Sequence, residues 1–230
     1  MADNPENIRL PRLRDVIHDH PFFFYPYFLL LLFTAIAMGF YDYKEMFFSI
    51  HGLNAPFWDD FFYYGTYLGD GLLSFFVAAM LLFVRYRLAI AAGITFIITG
   101  IVAQLLKNFV FEGRHRPFRV LTEAPDFNVI EGLELHSYHS FPSGHTATGF
   151  AIFAFLALVI KRPPVSILCF LIAVMVGYSR IYLGQHFFVD VYAGSVVGVT
   201  CAILGYWFLE VKKPGKLLRK NWMEKSLLRN

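Results

Sequence analysis

Long apolar runs alternate with short polar breaks along this chain, and the runs are longer than the core of a soluble domain requires. A helix rises about 1.5 Å per residue, so roughly 20 mostly apolar residues cross the ~30 Å hydrocarbon core of a bilayer. Six runs approach that length, at 22–40, 67–85, 88–111, 145–160, 164–183 and 187–209. The second and fourth are marginal and borrow flanking residues. The pattern predicts an all-α integral membrane bundle of six transmembrane helices. It divides the chain into an N-terminal segment (1–21), a membrane domain (22–210) and a tail (211–230). Between the first two runs, Tyr41 to Tyr64 is rich in Phe and Tyr, carries Trp58, and is broken by Gly52 and Pro56. Aromatic rings are at home at headgroup level, so this stretch is expected to form an interfacial segment.

Composition sharpens the picture. Of the 230 residues, 57% are hydrophobic and only 16% charged, with a mean hydropathy of +0.52. Soluble domains carry about 25% charged residues. Too little polar surface is available to cover a water-soluble body, so lipid is the expected surroundings.

The net charge of +3 sits in short clusters between apolar runs, which argues for topology signals and against a nucleic-acid partner. With a cytoplasmic N-terminus, the inner segments hold Arg9, Arg12 and Arg14, then Arg85 and Arg87, then Lys161 and Arg162, and finally the basic tail. The tail is expected to lie against the anionic inner leaflet. Lys44, Lys107, Arg114, Arg116, Arg119 and Arg180 fall on the outer side or at its boundary. Ala35-Ile36-Ala37 also admits a cleavable leader, which would leave the later loops on the same sides. Cys169 and Cys201 lie within apolar runs and read as packing residues, not a disulfide.

Three polar clusters then fall on the outer side. Lys107 lies at the end of the third run, followed by Arg114, His115, Arg116 and Pro117. Ser140-Phe141-Pro142-Ser143-Gly144-His145 opens the fourth. Ser179-Arg180 closes the fifth, and His186 with Asp190 opens the sixth. Lys and Arg neutralise the oxygens of a phosphoryl group, and Arg adds bidentate hydrogen bonding. Pro142-Ser143-Gly144 reads as a helix start, whose free N–H groups and dipole favour an anion. Gly144 leaves the backbone open to close approach. His186 and Asp190, four apart on a helix, share a face. A carboxylate on one imidazole nitrogen leaves the other free to attack, and His145 could protonate a departing alkoxide.

The spacing from Lys107 to Arg114, the Pro142-Ser143-Gly144-His145 string, and Ser179-Arg180 followed by His186 and Asp190 resemble the three signature motifs of the type-2 phosphatidic acid phosphatase superfamily. The resemblance spans roughly residues 107–190. It implies a phosphatase that needs neither metal nor cofactor. His186 would form a phosphohistidine, Asp190 would orient it, and His145 would act as acid and then base. Lys107, Arg114, Ser143, Gly144 and Arg180 would hold the phosphate. The first motif departs from the family pattern, because His115 follows Arg114 and the Arg-Pro pair comes two positions later as Arg116-Pro117. Spacing favours Arg114 on the phosphate, with Arg116 as a neighbouring helper.

The expected partners are a lipid phosphate substrate and the bilayer. The resemblance suggests phosphatidylglycerol phosphate, phosphatidic acid, polyprenyl pyrophosphate or lipid A, handled at the periplasmic face of a bacterial inner membrane. The lipid and the oligomeric state stay open. Four other readings compete. The same site could serve a phosphotransferase or small-molecule phosphatase. His136 and His139, three apart, could ligate zinc in a metal-dependent hydrolase, although cations beside them would repel a metal. Vanadium haloperoxidases share the constellation but are soluble. The chain could also be a transporter or lipid-binding protein that uses the outer cations only to hold an anion, although a transporter would more naturally gather polar groups at mid-membrane.

Overall fold

The computed structural model describes residues 12–212 and 220–228. The N-terminal residues through position 11, including Arg9, and the tail positions Lys213, Lys216, Arg219 and Arg229 lie outside the described residues. Helices α1 (Leu13–His18), α2 (Pro21–Phe40) and α3 (Tyr43–His51) lead into α4 (Pro56–Gly65) and a 3₁₀ turn at Thr66–Gly69. Then come α5 (Gly71–Leu81), α6 (Tyr86–Leu105), α7 (Pro117–Leu121), α8 (Gly144–Ile160), α9 (Pro163–Tyr182) and α10 (Phe188–Gly205). No strand occurs among the described residues. Helices α6 and α10 continue into π-helical turns at Leu106–Val110 and Tyr206–Lys212.

Among the described residues, four helices are long and apolar enough to cross a membrane: Pro21–Phe40, Tyr86–Val110, Pro163–Tyr182 and Phe188–Lys212. The chain is a multi-pass membrane protein. A fifth crossing arises if Pro56–Gly69 and Gly71–Leu81 form one broken span, bent by 55°. Helix α8 is apolar but shorter, at 17 residues.

The second run therefore differs from expectation. Its helix starts at Pro56, inside the aromatic segment, and ends at Leu81, not at 85. The break falls at Asp70, whose backbone is extended and whose carboxylate accepts from the Leu72 N–H at 3.3 Å. A capping side chain of this kind ends one helix and starts the next. Only α3 stands apart as a separate helix in the 41–64 stretch.

Helix α8 occupies the centre, with Phe150, Ala151, Ile152, Ala154, Phe155 and Leu158 all buried. A helix that is apolar around its circumference has to be surrounded, and α6, α9 and α10 surround this one. Contact with α10 is backbone to backbone. A Cβ on Gly198 would collide with the Ala147 carbonyl oxygen, and one on Gly194 would stand 2.6 Å from that of Ser143. Small residues permit this approach in membrane bundles. As a result the starts of α8 and α10 lie side by side, and the Ser143 N–H donates to the Asp190 carbonyl at 3.0 Å.

The other end of the bundle carries a cluster of charges. Glu210 receives Arg87 Nε at 2.7 Å and Arg85 Nη2 at 2.9 Å. Glu224, in the returning segment 220–228, pairs with both arginines as well. That segment is fastened to the α5–α6 turn by Tyr86 N–H to Lys225 O (2.9 Å) and Leu227 N–H to Leu82 O (3.0 Å).

Candidate active site

The adjoining starts of α8 and α10, the end of α9 and the π turn after α6 enclose a cavity of about 700 Å³. Lys107, Arg116, Gly144, His145, Arg180 and His186 all line it. Lys107 sits in the π turn, which puts its side chain near the start of α8: a Cβ on Gly144 would lie 4.0 Å from Lys107 Nζ. Wide turns of this type recur at functional sites.

His186 is buried in the turn between α9 and α10, with Nδ1 3.4 Å from Asp190 Oδ2. The same carboxylate oxygen accepts Ser140 Oγ at 2.5 Å and the Phe187 N–H at 2.9 Å. Asp190 is thus held from three sides in the first turn of α10, behind the imidazole. With Nδ1 turned to the carboxylate, Nε2 is the nitrogen left for the cavity.

The cations have acceptor partners other than carboxylates. Arg116 donates from Nε to Tyr138 O (3.0 Å) and from Nη1 to Gln185 Oε1 (3.0 Å). Arg180 Nη1 donates to Thr66 Oγ1 at 2.7 Å, while its buried Nε has no hydrogen-bond partner. Among the described residues, none of Lys107, Arg116 and Arg180 is in an ion pair, although all three are buried. Buried charge without a counterion is costly, so the site is electrostatically poised for an anion. The cations and burial also act on the imidazole. Burial first, then Arg116, Arg180 and Lys107, hold the His186 pKa well below the ordinary histidine value. Burial likewise lowers that of Arg116, with Asp190 opposing.

The remaining sequence candidates fall elsewhere. Ser143 is buried behind the wall as the α8 cap, its Oγ accepting from Thr146 Oγ1 at 2.8 Å and Thr146 N–H at 3.4 Å. Arg114 is exposed and does not line the cavity. Spacing favoured Arg114, but Gly113 (φ +82°) and the 111–116 turn carry it outward. Pro117 at the start of α7 sets Arg116 inward against Tyr138 and Gln185. Exposed His136 reaches the rim; exposed His139 does not line the cavity. No group of three or more His, Cys, Asp or Glu among the described residues is arranged to hold a metal.

Sequence reasoning passed over Ser140, Gln185 and Thr66. Ser140 stood at the head of the string that opens α8, and Gln185 directly precedes His186. Thr66 gave no signal, since a threonine within an aromatic stretch is unremarkable until the fold sets it against Arg180.

Fold and site together define an all-helical membrane bundle with a cation-lined cavity at one end. The family model described as the PAP2 superfamily matches residues 88–214, more than half of the chain, and the chain belongs to that superfamily. It is similar to the crystal structure of Aquifex aeolicus LpxE, with TM-score 0.61 and 31% identity over 70% of this chain and 93% of that one. It is also similar to a PAP2-type phosphatidylglycerolphosphate phosphatase from Bacillus subtilis, with TM-score 0.60 and 25% identity over 82% and 96% of the two chains. A curated relative, lipid A 4'-phosphatase of Bacteroides thetaiotaomicron, is 28% identical over 64% of this chain and 68% of its own length. Of several other curated relatives the chain spans about half the length.

Proposed function

We propose that this protein hydrolyses a lipid phosphate without a metal ion, through a phosphohistidine at His186. The observation that carries this reading is one cavity in which a buried imidazole, backed by Asp190, meets three buried cations without carboxylate partners. His186 Nε2 attacks phosphorus as the bond to the lipid oxygen breaks, and His145 gives its proton to the leaving alkoxide. His145 then takes a proton from water, which attacks the phosphohistidine, releases phosphate and restores the imidazole. Lys107, Arg116, Arg180 and the N–H groups at the start of α8 neutralise the phosphoryl oxygens. Ser143 and Gly144 act through that helix start, and Arg114 stays at the outer rim.

The reading places the lipid's apolar part along the exposed face of α6. Ile97, Ile101, Leu105 and Phe109 are exposed there, and this face meets the polar cavity at Gly100 and Gln104. An acyl chain lying in the bilayer against it would bring its phosphate to the cavity. The names of the relatives, a lipid A phosphatase and a phosphatidylglycerolphosphate phosphatase, point to the same class. In this reading α8 and the bent pair complete six spans, α3 lies at headgroup level, and the site faces the periplasm of an inner membrane.

Detergent-purified protein is expected to release phosphate from mixed micelles of lipid phosphates in the presence of a chelator, and to be inhibited by vanadate. His186→Ala should lower the rate by roughly 10³-fold or more. Full activity in that variant, or strict dependence on a divalent ion, would remove the mechanism.

A further inference from the structure

The cavity has more room than one phosphate fills, and its lining includes two carboxylates, Asp70 and Glu134. The broken span turns at Asp70, which lines the cavity. Gly69, just before it, is pressed onto the start of α8: a Cβ there would stand 2.5 Å from the His145 carbonyl oxygen. Thr66, in the same turn, holds Arg180. The 66–70 turn is thereby fixed against both His145 and Arg180, which sets Asp70 at the cavity beside the start of α8. A second observation concerns the cations. Lys107, Arg116 and Arg180 are the Lys and Arg residues that line the cavity, and the reaction engages all three at the transferred phosphoryl group.

We infer that Asp70 screens the leaving group, restricting the enzyme to phosphate monoesters whose departing group is an uncharged alcohol and disfavouring diphosphates. The inference rests on the reading above, in which His145 protonates the leaving oxygen. In a monoester the bond from phosphorus to the alcohol oxygen breaks, the His145 proton passes to that oxygen, and a neutral alcohol departs past Asp70. In a diphosphate the P–O–P bridge breaks instead, and the group departing on the His145 side is itself a phosphate ester. Its negative charge would then face the Asp70 carboxylate while the Lys and Arg residues of the lining are already engaged at the transferred group. At an effective dielectric near 20, two unit charges about 10 Å apart repel strongly enough to cost roughly tenfold or more in rate.

The test compares farnesyl monophosphate with farnesyl diphosphate in detergent micelles, using the full-length protein. The alcohol is the same in both, so apolar contacts cancel. The decisive quantity is the ratio of kcat/KM for the two compounds, compared between wild type and Asp70→Asn, because the compounds' intrinsic reactivities also cancel there. Asparagine still caps α5. The monoester-to-diphosphate ratio should fall by about tenfold in Asp70→Asn through a faster diphosphate reaction, and return in Asp70→Glu; a fall that comes only from a slower monoester reaction reflects a weaker His145 acid and overturns the inference. An unchanged ratio in Asp70→Asn overturns the inference, as does faster hydrolysis of the diphosphate by wild type; the latter result is available even if the variant does not fold. Failure of wild type to release phosphate from any lipid phosphate would instead count against the phosphatase reading itself.

Discussion

His186 can serve as a nucleophile only while neutral, and its surroundings keep it so. Burial and the three nearby cations all oppose a positive imidazole, which is why its pKa is depressed. As pH falls, activity should persist until the pH passes through that lowered value. The acid limb of kcat/KM, which reports the free enzyme, is therefore expected below the ordinary histidine pKa of about 6.5. Replacing Arg116 by Gln removes one repelling charge and should move the limb upward; pH–rate profiles of the two proteins check both statements. The arginines separate at this scale too. Arg116→Ala should cost roughly 10²–10³ in kcat/KM, as loss of a buried anion-stabilising donor does. Arg114→Ala should change it only a few-fold, through long-range steering. The sequence offered two arginines after Lys107. Spacing alone could not show which of them lines the cavity, because that depends on how Gly113 and Pro117 turn the chain.

At the scale of elements, most helices were legible. The third to sixth apolar runs lie close to the helices observed, because a span's length is imposed by bilayer thickness. The bend at Asp70 and the π turn bearing Lys107 were not, since neither alters apolar periodicity over a window as long as a span. Nor was the role of α3. His51, at its end, is fully buried between the rings of Phe47 and Phe127, each 4.8 Å away. Its Nδ1 pairs with Tyr182 O at 2.8 Å, and its Nε2 accepts the Asn128 N–H at 3.1 Å. One neutral tautomer satisfies both, with Nδ1–H as donor. The ring therefore ties α3 and the outer loop to the end of α9, four residues before His186. It also packs near Gly184 (φ +66°), where a Cβ would lie 3.3 Å from its Cε1. His51→Phe keeps the stacking but leaves a carbonyl and an N–H unpaired. We expect about 2 kcal/mol of lost stability in thermal unfolding. With the turn carrying His186 less firmly held, kcat should fall by about tenfold with a smaller change in KM. An equal loss in His51→Ala and His51→Phe would show that the hydrogen bonds, and not the stacking, hold the turn.

The molecule as a whole has two polar ends joined by apolar helices, and α6 measures the distance between them. Arg87 lies in its first turn and Lys107 just beyond its last, twenty residues apart, or about 30 Å along a helix. That is the thickness of the hydrocarbon layer, so the ion-pair cluster and the phosphate cavity belong to opposite leaflets. The orientation proposed above takes its direction from the charges. Arg85, Arg87, Lys161 and Arg162 sit in short turns at the cluster end, where the positive-inside rule assigns the cytoplasm. At the other end Lys107, Arg116 and Arg180 are turned into the cavity, while Lys44, Arg114 and Arg119 are exposed and count against the rule. Both arginines at the cluster end also pair with Glu210 and Glu224, and that internal neutralisation weakens the topology signal they give. The orientation consequently rests most on Lys161 and Arg162, which form no ion pair among the described residues. It can be tested with single cysteines placed in a background carrying Cys169→Ala and Cys201→Ala. In intact cells whose outer membrane has been opened, a membrane-impermeant thiol reagent should label His136→Cys at the cavity rim. It should label Arg162→Cys in the α8–α9 turn only after the inner membrane is permeabilised. The reverse pattern would put the phosphate site on the cytoplasmic side, and substrate would then have to be drawn from the inner leaflet.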